Sequence, residues 1–312
     1  MNDPRHSNQG IMKEKHRTLC FPDREKTCFA CCPPIRAAGY EHIQYKGMVQ
    51  RVLRENTAAF RAEERRIRPI TGFSCWALGY LDADFRLVGC LLHPARHNGL
   101  DLRFRTDFGE KCRRETCPEA RIFEQLDSNA QAFWLHLADG LDAFSYSSRK
   151  ENPLFHYLNW GPKILQGIAR AEPGVVPSPE SILEAFPFLE TQYSPRAFAY
   201  PLARLVEHQG MDLLRDAQFK NSFEDWLDTL VGELNAVPQA ESPRAVPVHR
   251  LPLERPFLDF LRLGAGISKG PLDGVEALRV RVDTEIVRFF REYGTGRAVP
   301  APRPASQKRD RR

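Results

Sequence analysis

All eight cysteines of this 312-residue chain fall between Cys20 and Cys117, and none lies in the remaining residues up to Arg312. They run as Cys20, Cys28-Phe-Ala-Cys31-Cys32, Cys75, Cys90, Cys112 and Cys117. This clustering constrains the first third of the chain more than any apolar pattern does. Two residues between Cys28 and Cys31 let the chain turn so that both sulfurs converge on one ion, a spacing shared by zinc knuckles and iron–sulfur loops. A single cysteine is ordinarily a small buried hydrophobe. A C-x-x-C pair among six further cysteines points instead to metal ligands. The amino-terminal residues Met1-Asn-Asp-Pro-Arg-His6 carry no apolar signal segment. No apolar run approaches the roughly 20 residues that a membrane-spanning helix needs. The expectation is a cytoplasmic protein without a membrane segment, where thiols stay reduced and clustered cysteines serve metal or redox chemistry.

The candidate metal ligands are therefore Cys20, Cys28, Cys31, Cys32, Cys75, Cys90, Cys112 and Cys117. Eight thiolates suit two four-coordinate sites. Pro33 pushes Cys32 toward extended backbone, in which neighbouring side chains point to opposite faces. Cys31 is expected to pair with Cys28, and Cys32 to face Cys75, Cys90, Cys112 or Cys117. Cys90-x-x-His93 and His93 with His97 are further chelating spacings. Pro94 excludes a regular helix through 93–97, so both histidines read as surface or hydrogen-bonding groups. Pro118 predicts a helix running to about Leu126, with Cys117 at its amino terminus, where the helix dipole favours a thiolate.

A C-x-x-C-C cluster, then Cys75-Trp-Ala-Leu-Gly-Tyr-Leu-Asp82, then Cys90 shortly before His93-Pro94, then Lys111-Cys112-Arg113-Arg114: this order resembles the cysteine-cluster family described as zinc- or iron-chelating proteins. The resemblance spans about residues 20–117. It implies chelation of zinc or of an iron–sulfur cluster, and no common reaction. Cys20 stands eight residues before Cys28, and the segment 95–110 replaces the Arg-Pro dipeptide that precedes the late cysteine in the family pattern.

Charge is unevenly spread. Residues 1–126 hold 22 Lys and Arg against 16 Asp and Glu, 127–296 hold 17 against 23, and 297–312 hold six against one. A basic amino-terminal part admits nucleic acid as a partner. It also offsets a metal site, since eight thiolates with two zinc ions, or two four-iron clusters, carry a charge of about −4. The second reading is favoured. Phosphate-binding G-x-x-x-x-G-K-[ST] and H-E-x-x-H motifs are missing from the sequence. The leading expectation is a metal-binding protein. The rivals are a zinc- or cluster-dependent enzyme and a zinc-stabilised nucleic-acid or protein adaptor.

The fold class expected is mainly α, with a loop-dominated cysteine module packed against a helical body. Apolar periodicity predicts a helix from about Tyr40 to Arg66, ended by Pro69 and Gly72. Ser128-x-x-Gln131 reads as a capping box opening a helix over Ala132 to Phe144. Asn152-Pro153, Ser178-Pro179 and Ser194-Pro195 start helices, the first running through Trp160 and Ile168 and the last stopping at Gly210. Asn221-x-x-Glu224 caps another through Trp226 and Leu234. Phe257 to Leu263 and Val275 to Tyr293 complete the helices. The organisation expected is a disordered terminus at 1–17, the cysteine module at 18–126, a helical body at 127–236, a Pro-rich linker at 237–256, helices at 257–296, and a disordered basic tail at 297–312. Aromatic residues of the body read as core rather than as a ligand pocket.

Overall fold

The computed structural model describes residues 18–23, 25–32, 39–61, 66–71, 74–114, 117–191, 193–236 and 245–294. The two tails expected to be disordered, most of the linker's first half, and Pro33 lie outside the described residues. The structure is mainly helical. Among the described residues, no helix is long and apolar enough to cross a membrane. The chain divides into two compact units, Met1–Gln131 with Gly140–Glu151, and Ala132–Asp139 with Asn152–Arg312.

The first unit is built on one helix and one hairpin. The helix α1 (Lys46–Ala59) follows a 3-10 turn at His42–Tyr45. It is shorter than its periodicity predicts because Phe60 takes extended backbone, with φ −66° and ψ 131°. Val49 and Leu53 form its buried stripe. Strands β1 (Leu78–Tyr80) and β2 (Val88–Cys90) pair antiparallel, with Leu78 opposite Cys90. Neither strand is among the elements expected from the sequence. Asp82 organises the turn between them, accepting from the backbone of Arg86 and Leu87. Gly79 is required by close approach: a Cβ there would stand 2.7 Å from the Thr57 hydroxyl on α1. That hydroxyl instead accepts from the Tyr80 amide at 2.7 Å.

Helices α2 (Gly109–Arg114) and α3 (Pro118–Phe123) carry the last two cysteines. The helix expected over Ala132–Phe144 is broken. Helix α4 spans Ser128–Leu135 and ends in a 3-10 turn at His136–Ala138. Gly140 takes φ +75°, a left-handed conformation that glycine adopts without steric cost. Asp142 then caps α5 (Ala143–Ser147), accepting from the Phe144 and Ser145 amides. The predicted capping box does not form. Asp127 accepts from the Ala130 amide at 2.9 Å, while the Gln131 amide group donates to the Phe123 carbonyl.

The second unit is helical throughout its main body. Helices α6 (Pro153–Leu158) and α7 (Pro162–Ala171) are two elements rather than one, because Gly161 sits between them at φ +85°. Helices α8 (Pro179–Ala185) and α9 (Pro195–Gln209) open at the predicted Ser-Pro pairs, and α9 stops at Gly210. Helix α10 (Ala217–Ala236) starts four residues before the predicted cap, with Asp216 accepting from the Gln218 amide at 2.8 Å. Part of the expected linker is ordered: β3 (Val246–Pro247) pairs with β4 (Lys269–Gly270), and α11 (Arg255–Asp259) leads into a π-helical turn at Phe260–Gly264. Helix α12 (Leu272–Gly294) closes the unit. Its core is aromatic. Trp226 stacks on Phe289 at 4.7 Å between centroids, and Phe188 stacks on Phe219 at 5.4 Å.

Candidate functional site

The cysteine loop is pinned to the first unit at several points. The Cys28 amide donates to the Cys20 carbonyl at 3.0 Å, closing the segment between them. The Tyr146 hydroxyl on α5 donates to the Leu19 carbonyl at 3.1 Å. The Phe29 amide donates to the Ser147 hydroxyl at 3.0 Å, and the Val88 amide donates to the Thr27 hydroxyl at 3.1 Å. Phe29 itself is 1 % exposed and meets Phe144 edge-on at 5.3 Å. The C-x-x-C turn therefore has an apolar anchor between its two cysteines. The Cys32 amide closes that turn on the Phe29 carbonyl at 2.9 Å. A tight turn, rather than a continuous extended segment, thus brings the chain through Cys31 to Cys32. The His42 ring nitrogen Nε2 is hydrogen-bonded to the Cys32 carbonyl, and Nδ1 of the same ring meets the Tyr40 hydroxyl.

The later cysteines come from separate elements. Asn56 on α1 donates to the carbonyls of Cys75 and Leu78 at 3.0 and 2.8 Å, fixing the segment that enters β1. Cys90 ends β2. Cys75 belongs to the apolar core that α1 and the hairpin share, and Cys32 and Cys90 pack against it. Cys112 lies on α2. Cys117 caps α3 as the sequence predicts, its sulfur accepting from the Ala120 amide at 3.4 Å.

All eight cysteines line one cavity of about 320 Å³. His93, Arg103, Thr106 and Arg149 share its walls, with Leu19, Phe21, Ala30, Pro118 and Ala120. Among the described residues, no group of three or more His, Cys, Asp or Glu side chains is already arranged to hold a metal ion. The thiols stand around the cavity wall rather than about a point.

Their electrostatics follow from that placement. Burial pushes the Cys28 and Cys90 thiols up to about 12 and that of Cys75 to about 11. Burial also raises Cys20, Cys112 and Cys117. Cys32 is raised by its contact with the Cys31 thiol and then by burial. The dipole of α3 does not lower Cys117 as the sequence suggested, because loss of water around the thiolate outweighs it. The mutual repulsions also mark who stands beside whom. Cys20 is raised by Cys28, Cys31 and Cys117; Cys117 by Cys28 and Cys31; Cys28 by Cys31. Cys32 is raised by Cys90 and Cys75, Cys90 by Cys75 and Cys112, and Cys75 by Cys112. Across the two sets, Cys31 touches Cys32, and it also raises Cys112.

Two cations face the thiols. Arg103 is held by Asp101 through paired bonds, Nε to Oδ1 at 2.9 Å and a terminal nitrogen to Oδ2 at 2.8 Å. Arg149 lies 3.5 Å from the Glu119 carboxylate. Arg103 favours ionisation of Cys90 and Cys112, and Arg149 that of Cys28. His93 is half-buried and packs on Phe21 at 4.9 Å. Burial and Arg103 depress its imidazole to about 4. His97 is a hydrogen-bonding residue as expected, with Nε2 2.8 Å from the Leu91 carbonyl. The sequence did not single out Arg103, Arg149 or Thr106. Only the return of the chain after Gly140 brings Arg149 beside Cys28, and no local spacing announces that. No family model, curated protein or solved structure matches the chain.

Proposed function

We propose that this protein binds metal through its cysteine thiolates, with the cavity in the first unit as the site. The observation that carries the reading is that eight cysteines, drawn from loops, a hairpin and two helices across nearly a hundred residues, all line one cavity. Eight thiols kept only as small apolar side chains have no reason to meet on one wall. The Asp101-braced Arg103 and the Glu119-neighboured Arg149 supply positive charge where thiolates would accumulate negative charge.

Four-thiolate ligand sets suit either zinc or an iron–sulfur cluster. Sulfurs sharing one zinc lie roughly 3.7–4 Å apart, from a zinc–sulfur bond of about 2.3 Å. A cluster carries its own irons and sulfides, which span the space between thiolates. Metal analysis with a visible absorption spectrum, on protein purified without oxygen, tests the reading. Brown protein with iron and acid-labile sulfide supports a cluster, and colourless protein with stoichiometric zinc supports zinc. Protein that is metal-free as purified, and stays so after incubation with zinc or with iron and sulfide, overturns metal binding.

A further inference from the structure

We infer that the cavity holds two four-thiolate sites, Cys20, Cys28, Cys31 and Cys117 in one and Cys32, Cys75, Cys90 and Cys112 in the other, divided at the Cys31–Cys32 peptide bond. This rests on the metal-binding reading above and adds the ligand sets.

Backbone and packing carry the division. In the first set, the Cys28 amide is bonded to the Cys20 carbonyl, so these two residues are neighbours irrespective of their side chains. Cys31 follows Cys28 in the same tight turn. In the second set, Cys75 lies in the apolar core that α1 and the hairpin share, with Cys32 and Cys90 packed against it. Cys112 joins them from α2, within electrostatic reach of both Cys75 and Cys90. Every pair in the first set, and five of the six pairs in the second, are close enough to repel as thiolates, and across the sets only Cys31 is marked as a neighbour, of Cys32 and of Cys112.

Each set also faces its own guanidinium, Arg149 for the first and Arg103 for the second. Four thiolates around a divalent ion, or around a cluster, leave a net negative charge. One cation beside each set is the arrangement that two separate negative centres require. Consecutive Cα atoms lie about 3.8 Å apart, so Cys31 and Cys32, each ligating a different centre, place the two centres side by side. Two-cluster ferredoxins use the same device, in which cysteines close in sequence ligate different clusters.

The test compares serine variants by metal per chain, after anaerobic purification and reconstitution under one protocol. Cys31→Ser and Cys112→Ser remove one thiol from each set at positions outside the buried core. Each should retain about half of the wild-type metal. Cys28→Ser with Cys31→Ser, both in one set, should also retain about half. Cys31→Ser with Cys112→Ser, across the sets, should retain almost none. Helical circular dichroism accompanies each sample, and retained metal in the single variants itself shows a folded site. Loss of all metal in either folded single variant, or equal loss in the two double variants, overturns the division while leaving metal binding standing. Wild-type protein that never takes up metal fails the underlying reading instead. Should Cys31→Ser not fold, Cys20→Ser takes its place in both double variants with the same outcomes.

Discussion

The two units bury their interiors by different means. The second is filled with interlocking rings: Phe219, Phe223 and Phe289 are each 2 % exposed or less, and all four of its longest helices contribute buried apolar side chains. The first has one helix of fourteen residues, two three-residue strands, and a cavity where thiols meet. An aromatic core is closed by dispersion and water exclusion alone. A thiol-lined cavity leaves its walls without partners across the gap, and void-facing atoms forfeit packing energy. The difference teaches that the second unit's stability is written in its apolar residues, whereas on the proposed metal binding the first unit's would depend on what joins its sulfurs.

Metal removal should break that contrast most strongly. Apparent binding free energies for structural zinc are about 10–16 kcal/mol and double as folding energy. Chelation should expose the first unit, Met1–Gln131 and Gly140–Glu151, to protease while the core of the second stays resistant. Mass spectrometry of the fragments reads this, and equal protection with and without chelator would remove metal from the stability of the first unit. Next in size is Phe289→Ala, which empties a stacked position in the aromatic core. It should cost about 3–5 kcal/mol in denaturant unfolding, and metal per folded chain should stay at the wild-type value. Loss of metal with that lesion would mean the two units do not act separately.

Ser147→Ala is a smaller lesion on the other side of the comparison. Ser147 is 4 % exposed and its hydroxyl accepts from the Phe29 amide. Its loss leaves a buried donor unpaired, at about 1–3 kcal/mol. Because Phe29 lies between Cys28 and Cys31, metal release to a chelator should also quicken. Unchanged release would separate this anchor from the site. The smallest effect is expected from Asp216→Ala, which removes the cap of α10 at a cost of about 0.5–2 kcal/mol, again with metal release unaltered.

The sequence exposed the site's ingredients better than its walls. The eight cysteines were legible because clustering and the C-x-x-C spacing are local signals. Helix starts at Asn152-Pro153, Ser178-Pro179 and Ser194-Pro195 were legible for the same reason, since capping residues act within one turn. Helix starts capped by Asp127 and Asp216 were misplaced, because Ser128 and Asn221 offered equally good local patterns and tertiary packing chose between them. The short hairpin escaped notice because three residues are too few to show alternation, and both of its strands are buried along nearly their whole length. Arg103 and Arg149 escaped because charge placement beside a thiol is a property of the folded chain alone.

Cys31 and Cys32 mark the limit of a local backbone argument. Extended backbone before Pro33 predicted diverging side chains. The chain instead leaves a tight turn closed on Phe29, and the Cys31 and Cys32 thiols touch rather than diverge, with Cys32 also beside Cys90 and Cys75 and Cys31 beside Cys28 and Cys20.

Counting reactive thiols in the native, metal-loaded protein tests the central claim most directly. Cys31 is exposed and the other seven open onto the cavity or lie buried, so a small thiol reagent distinguishes ligated from free sulfur at Cys31 without unfolding. If all eight are ligands, the native protein shows no reactive thiol, Cys31 included, and denaturation with chelator releases eight. Immediate reaction at Cys31 in metal-loaded protein, with metal content unchanged, would contradict the account.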